Sequence, residues 1–201
     1  MVVGGWECRD NKPPHQARWF SVRLTRSTAP WAFSRGEPFR NIASIELFAS
    51  LLSVMAFGDE WRNGARGVLH LTGLTDNSGN TSSLCRLMSS KFPLVVILTE
   101  FAAQLRQREM ELDLAWVPRN QNEEADALTN ERFEHFDEKL RVALKIEELP
   151  FLVLDKMFEV ADHLYRNVQQ KKQDMRVDKV KNKQRGKEKT KRRPLKERDP
   201  W

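Results

Sequence analysis

Apolar residues along this chain switch between two periods. Trp19, Ser21, Arg23 and Thr25 alternate with Phe20, Val22 and Leu24, a period of two that predicts a strand over residues 17–25. Val2 to Cys8 reads as a strand before it, with a loop through Pro13-Pro14 between them. Residues 27–41, with Pro30, Gly36 and Pro38, predict irregular structure whose Trp31, Phe33 and Phe39 clamp it onto the core. Ile45, Phe48, Leu52 and Met55 then recur at i, i+3, i+7 and i+10, the core stripe of a helix that is apolar nearly all round and ends near Gly58. The run Val68 to Leu74 reads as a buried strand. A turn follows, and then a helix carrying Leu84, Leu87 and Met88 that Ser78 or Asn80 can cap. Pro93 opens a helix with Leu94, Ile97, Leu98, Phe101 and Leu105 on one stripe and Arg106 and Arg108 near its end. Leu112 to Val117 predicts a strand closed by Pro118, and Asn122 to Leu128 a short acidic helix.

Two strands, a helix, then strand–helix–helix–strand–helix make an α/β sheet with helices on its faces. From Glu131 to Gln170 the pattern is helical, with Leu154, Met157, Ala161, Leu164 and Val168 holding the period after Pro150. This part is expected to pack back on the domain. From Lys171 large apolar residues nearly vanish, which predicts a disordered or transiently helical basic arm. The expected organisation is a domain over residues 1–131, a helical extension over 132–170 and a tail over 171–201.

Charge sharpens that division. The chain of 201 residues carries a net charge of +6, but residues 171–201 hold 14 Lys/Arg and 5 Asp/Glu, so the rest is slightly acidic. Basicity belongs to the tail. A tail with Lys179, Lys181, Lys183, Arg185 and Lys191-Arg192-Arg193 suits phosphate binding without sequence preference, nuclear import, or simple solvation. Cys8 and Cys85 share no short spacing, which indicates neither a zinc site nor a disulfide framework and fits a reducing, intracellular compartment, cytoplasm or nucleus. The N-terminus lacks the basic start and long apolar region of a signal peptide. The greasy stretch Ile45 to Phe57 contains Glu46 and is too short to span a bilayer, so no membrane role is expected.

Three carboxylates stand out against this frame. Asp76, in Thr75-Asp76-Asn77-Ser78-Gly79-Asn80, falls where a strand ends and a helix begins, the rim at which open α/β sheets hold ligands. Glu46, in Ile45-Glu46-Leu47-Phe48-Ala49, is the one charge between Arg40 and Asp59 and needs a partner or a metal to offset its desolvation. Asp126 shares a helix face with Asn122 in Asn122-Glu123-Glu124-Ala125-Asp126-Ala127-Leu128, shortly after Trp116-Val117-Pro118. One Glu and two Asp make an all-oxygen donor set suited to Mg²⁺.

In this order and these contexts the motifs resemble the ribonuclease H family in the form carried by retroelement polyproteins, over about residues 1–130. The resemblance implies an RNase H-like mixed sheet flanked by helices. It implies hydrolysis of the RNA strand of an RNA–DNA hybrid with two Mg²⁺ or Mn²⁺ ions, and a parent polyprotein as one setting. Glu46 would serve the leaving-group side, Asp76 the nucleophile side, and Asp126 would complete the metal shell. Asn122 matches a position that contacts the hybrid, with Asn77 and Ser44 as further candidates for substrate contact. The sequence also departs from the family. The Gly4-Gly5-Trp6 stretch matches the family's second strand, so the first strand and its bridging Asp would lie before Met1; Asp10 does not take that role. No His lies between Trp116 and Asp126, and Ala43 and Ser44 stand where Asn and Arg often precede the helix Glu. The expectation is weak metal affinity and little activity from the chain as written. The alternative is a non-catalytic nucleic-acid-binding remnant that works through its basic arm.

Overall fold

The computed structural model describes residues 1–7, 12–34, 36–64 and 66–157, with single positions beyond. Cys8, Asp10, the period through Ala161, Leu164 and Val168, and the basic segment from Lys179 onward lie outside the described residues. The chain divides into two compact units, Met1–Phe158 and Glu159–Trp201, and every element below belongs to the first.

The unit is mixed α/β, with two small sheets rather than one. Strand β1 (Val2–Trp6) pairs antiparallel with β2 (Trp19–Arg23), Gly4 opposite Ser21. Strand β3 (Leu69–Thr75) pairs in parallel with β4 (Met110–Trp116), Gly73 opposite Leu114. Parallel strands need a long crossover. Here it consists of α2 (Ser78–Arg86) and α3 (Leu94–Gln107). The short helix α4 (Glu123–Thr129) follows β4, and residues 154–157 are helical again after the strap described below.

Helix α1 (Ile42–Arg62) lies at the centre. Its apolar residues recur on nearly every face because it is packed on several sides: Phe57 meets Phe20 of β2 at 5.9 Å between ring centroids, and Phe48 meets Trp31 edge-on at 5.1 Å. Leu47, Phe48, Leu51, Leu52 and Phe57 are fully buried, as are Val96, Ile97 and Phe101 of α3. The helical stretch Pro38–Arg62 is long and apolar enough to cross a bilayer, longer than the run Ile45 to Phe57 suggests, and 61% of its most apolar window is buried inside the fold. Its composition is that of a core helix.

Helix α4 covers the other face of β1. The Cα of Gly4 lies so near Leu128 that an added Cβ would sit 2.6 Å from the Leu128 Cβ. Glycine here permits a close approach of helix to strand.

Several expectations change. Within 27–41, Trp31 is buried, whereas Phe39 is exposed with the Arg40 guanidinium 5.8 Å over its ring. Asn77, not Ser78 or Asn80, caps α2, and its Oδ1 accepts from Gly79 N and Asn80 N. Helix α2 stops at Arg86, so Leu87 (φ +47°) and Met88 are exposed and only Leu84 enters the core. Strand β3 is far less buried than the pattern predicts: His70, Thr72 and Leu74 are exposed, Leu69, Leu71 and Gly73 are half-buried, and within the strand only Thr75 is buried.

Residues 132–153 differ most from the helical extension the pattern predicts. They form an irregular strap with 3₁₀ turns at Glu138–Leu140 and Ile146–Glu148. Phe133, Phe136 and Leu140 have helical spacing, but they gather around buried Trp19 with Leu128. Trp19 Nε1 donates to Asp137 O at 2.8 Å and Val142 N donates to Trp19 O at 2.7 Å. Packing around one indole outweighs local propensity there.

Candidate metal centre

Each of the three carboxylates is placed by a different element. Glu46 sits in the first turns of α1, beside the buried Ile45–Leu47 pair. Asp76 follows the last residue of β3, where Thr75 is held in the ladder by Val117 N donating to Thr75 O at 2.8 Å. Asp126 lies one turn into α4, its N–H donating to Asn122 O at 3.1 Å. All three line one cavity between the two sheets, together with Asn122 and Arg119.

The local chemistry links them. Asn77 Nδ2 donates to the Glu46 carboxylate, while Asn77 Oδ1 caps α2. One amide therefore fixes the start of α2 and the rotamer of Glu46. Desolvation raises the Glu46 pKa above the ordinary carboxyl value; the Asn77 hydrogen bond opposes this, the Asp76 charge adds to it, Arg119 opposes it and Asp126 adds to it. Those charges act on one another across the cavity end. Arg119 Nε donates to Asp126 Oδ2 at 3.1 Å, and the Arg119 side chain is 77% exposed. The pairing with Asp126 is the largest cause of the raised Arg119 pKa. A guanidinium thus supplies the positive charge beside the carboxylates.

The donor set suits a hard divalent cation in chemistry, being carboxylate oxygen throughout. Its spacing is looser than a formed site: among the described residues no three His, Cys, Asp or Glu side chains are grouped closely enough to hold one ion. An ion would have to draw Asp126 away from Arg119, and the exposure of Arg119 leaves that movement open.

The candidates for substrate contact divide. Asn122 lines the cavity and makes no side-chain capping bond to α4, so its amide is available on that wall. Both ends of Asn77 are engaged in holding α2 and Glu46, which makes it a positioning residue. Ser44 is 5% exposed and lines no part of the cavity, because it falls on the α1 face turned into the core.

Sequence reasoning passed over Arg119 and took Trp116 only as part of the Trp116-Val117-Pro118 motif. Arg119 lies in the turn that joins β4 to α4, and its neighbours Pro118 and Asn122 carried the only signal. The Trp116 ring is 54% exposed and its Nε1 donates to Asp76 O at 3.1 Å, so it braces the backbone of the Asp76 turn. Comparison with family models, with curated proteins and with solved structures gives no significant match for this chain.

Proposed function

We propose that the carboxylate end of the cavity is the cation-binding centre of a ribonuclease H-like nuclease of retroelement origin, acting on RNA–DNA hybrids and weak or inactive in this chain alone. The observation that carries the reading is convergence: Glu46, Asp76 and Asp126, far apart in sequence, line one cavity end and couple electrostatically at Glu46. The arrangement also supports the family's strand order with one place vacant, since β1 and β3 both border the gap in which a further strand would join the two sheets.

Two divalent ions, when bound, activate a water and stabilise the leaving oxygen on opposite sides of a phosphodiester. The chain's own residues hold and orient. Glu46 presents its oxygens from α1 and Asp76 from the end of β3, Asn77 fixes the rotamer of Glu46, and Trp116 fixes the backbone at Asp76. Asp126 would hold an ion only on leaving its ion pair with Arg119, and Asn122 would present an amide to the minor groove, where 2′-hydroxyls distinguish RNA from DNA. A shell that needs a fourth carboxylate is incomplete with these three, which is why little activity is expected.

The test is cleavage of a labelled hybrid in Mg²⁺ or Mn²⁺ by the chain, by a version extended with an upstream Asp-bearing strand, and by the extended version carrying Asp76→Asn. The extended chain should cut well, the chain alone hardly, and Asp76→Asn should abolish cutting. Undiminished cutting by the Asp76→Asn chain would falsify the reading. The Arg119–Asp126 pair favours a second reading, a non-catalytic nucleic-acid-binding remnant using its basic arm. Salt-dependent hybrid binding that is lost on deleting 171–201, with no cleavage by any version, selects it.

A further inference from the structure

Among the described residues Arg119 is the one Lys or Arg side chain that lines the cavity. It is tied to Asp126 by a single contact. Nε donates to Oδ2 at 3.1 Å, with the Arg119 side chain 77% exposed and that of Asp126 31%. Strong charge-assisted bonds are shorter, about 2.7–2.9 Å, and a guanidinium often grips a carboxylate through two N–H groups. An exposed one-point pair contributes little to stability. Either half can therefore be drawn away by a better partner.

Each half has one. Asp126 shares the cavity end with Glu46 and Asp76, so a divalent ion there competes with Arg119 for its carboxylate. The Arg119 guanidinium presents a rigid planar fork of donors that matches a phosphate as well as a carboxylate. Neither exchange is favourable alone. Three carboxylates repel a phosphate brought to Arg119, and Arg119, whose charge acts on Asp126, Asp76 and Glu46 at once, repels a cation brought to them. Binding both removes both obstacles: the ion neutralises the carboxylates, and the phosphate draws the guanidinium off Asp126. Each ligand must then strengthen the other. The pair sits on the turn after β4 and on α4, not on β1 or β3, so the exchange does not depend on what fills the gap between those strands.

We propose that Arg119 is a phosphate-binding residue masked by Asp126: a phosphodiester of a nucleic acid takes its guanidinium, and Asp126 passes to the divalent ion. The ion's half of the exchange rests on the cation centre proposed above; the phosphate's half does not. Nucleic acid and ion therefore load together.

The probe is a fluorescein-labelled duplex of DNA with 2′-O-methyl RNA, which keeps the phosphates and resists cleavage. It is titrated with the full chain at fixed salt and read by anisotropy. In EDTA, Asp126→Asn should bind it about fivefold more tightly than the unaltered chain, because Arg119 is released. The gain should vanish when Arg119→Ala is added. Asp76→Asn, which removes the same charge without releasing Arg119, should gain less. Mn²⁺ should tighten binding by the unaltered chain about tenfold, opposite in sign to the weakening that added salt imposes on a basic arm. In Arg119→Ala that tightening should be severalfold smaller. No gain from Asp126→Asn, a gain that persists without Arg119, or one matched by Asp76→Asn overturns the exchange and leaves the cation centre standing. Equal tightening by Mn²⁺ in the chain and in Arg119→Ala also counts against it. An Arg119-dependent gain in EDTA, with binding only weakened by Mn²⁺, keeps the phosphate site and sinks the cation centre.

Discussion

Glu46 is the residue at which burial and charge compete most openly. The fold raises its pKa, first by desolvation and then through Asp76 and Asp126, against the pull of Asn77 and Arg119. Between the ordinary carboxyl value and the raised folded value, the native state binds more protons than the unfolded chain. The stability this contributes is complete below the unfolded pKa and is lost as pH rises through the folded one. Glu46→Gln keeps an acceptor for Asn77 and removes the titrating charge. It should raise the melting temperature in EDTA near neutral pH, with the gain disappearing below about pH 4; thermal scans across that range check both halves. Glu100 shows the opposite resolution of a buried charge. It is wholly buried on α3 and accepts from Leu152 N, from Val153 N and Leu154 N at 2.8 Å each, and from Gln104 Nε2 at 2.6 Å. Glu100→Ala strands those donors. It should cost about 2–4 kcal/mol in urea unfolding and release the strap near Pro150 to proteolysis.

At the level of elements, what was readable depended on whether a segment's partners were local. Strand β2 and helices α1 and α3 are legible because their periods are long and each faces one continuous core. The strap over 132–153 was not, because Phe133, Phe136 and Leu140 mimic a helical stripe while serving Trp19, more than a hundred residues away. A shared location for Glu46, Asp76 and Asp126 was legible from motif order, whereas the Arg119–Asp126 pair was not: it comes from a turn geometry that brings Arg119 back to α4. Helix α4 positions Asp126 through its seat on β1, and that seat depends on the absence of a side chain at Gly4. Gly4→Ala would bring a Cβ 2.6 Å from Leu128 and 3.2 Å from the Phe20 carbonyl oxygen, neither of which can yield easily. The expected penalty is about 1–3 kcal/mol by chemical denaturation. Asp126 should shift with the helix, so Gly4→Ala should also weaken divalent-ion binding.

At the scale of the whole unit, two sheets share one central helix, and among the described residues no ladder joins them. What spans the gap at its charged end is electrostatic: Glu46 from α1, Asp76 from β3 and Asp126 from α4 repel one another, with Arg119 as the internal counter-ion. An ion bound at that end would tie α1, the end of β3 and the start of α4 together. Because it binds the assembled carboxylates and not the unfolded chain, it must stabilise the fold by mass action. At ten times the dissociation constant the gain is about 1.4 kcal/mol, or roughly 3–6 °C in melting temperature for a unit of this size. Mn²⁺ added to the chain should therefore raise its melting temperature in a concentration-dependent way. Asp76→Asn should flatten that response, and Arg119→Ala, which frees Asp126, should move it to lower Mn²⁺. A melting temperature indifferent to Mn²⁺ in both the chain and Arg119→Ala would leave the three carboxylates without a shared ion, and their convergence would then be held by Arg119 and Asn77 alone.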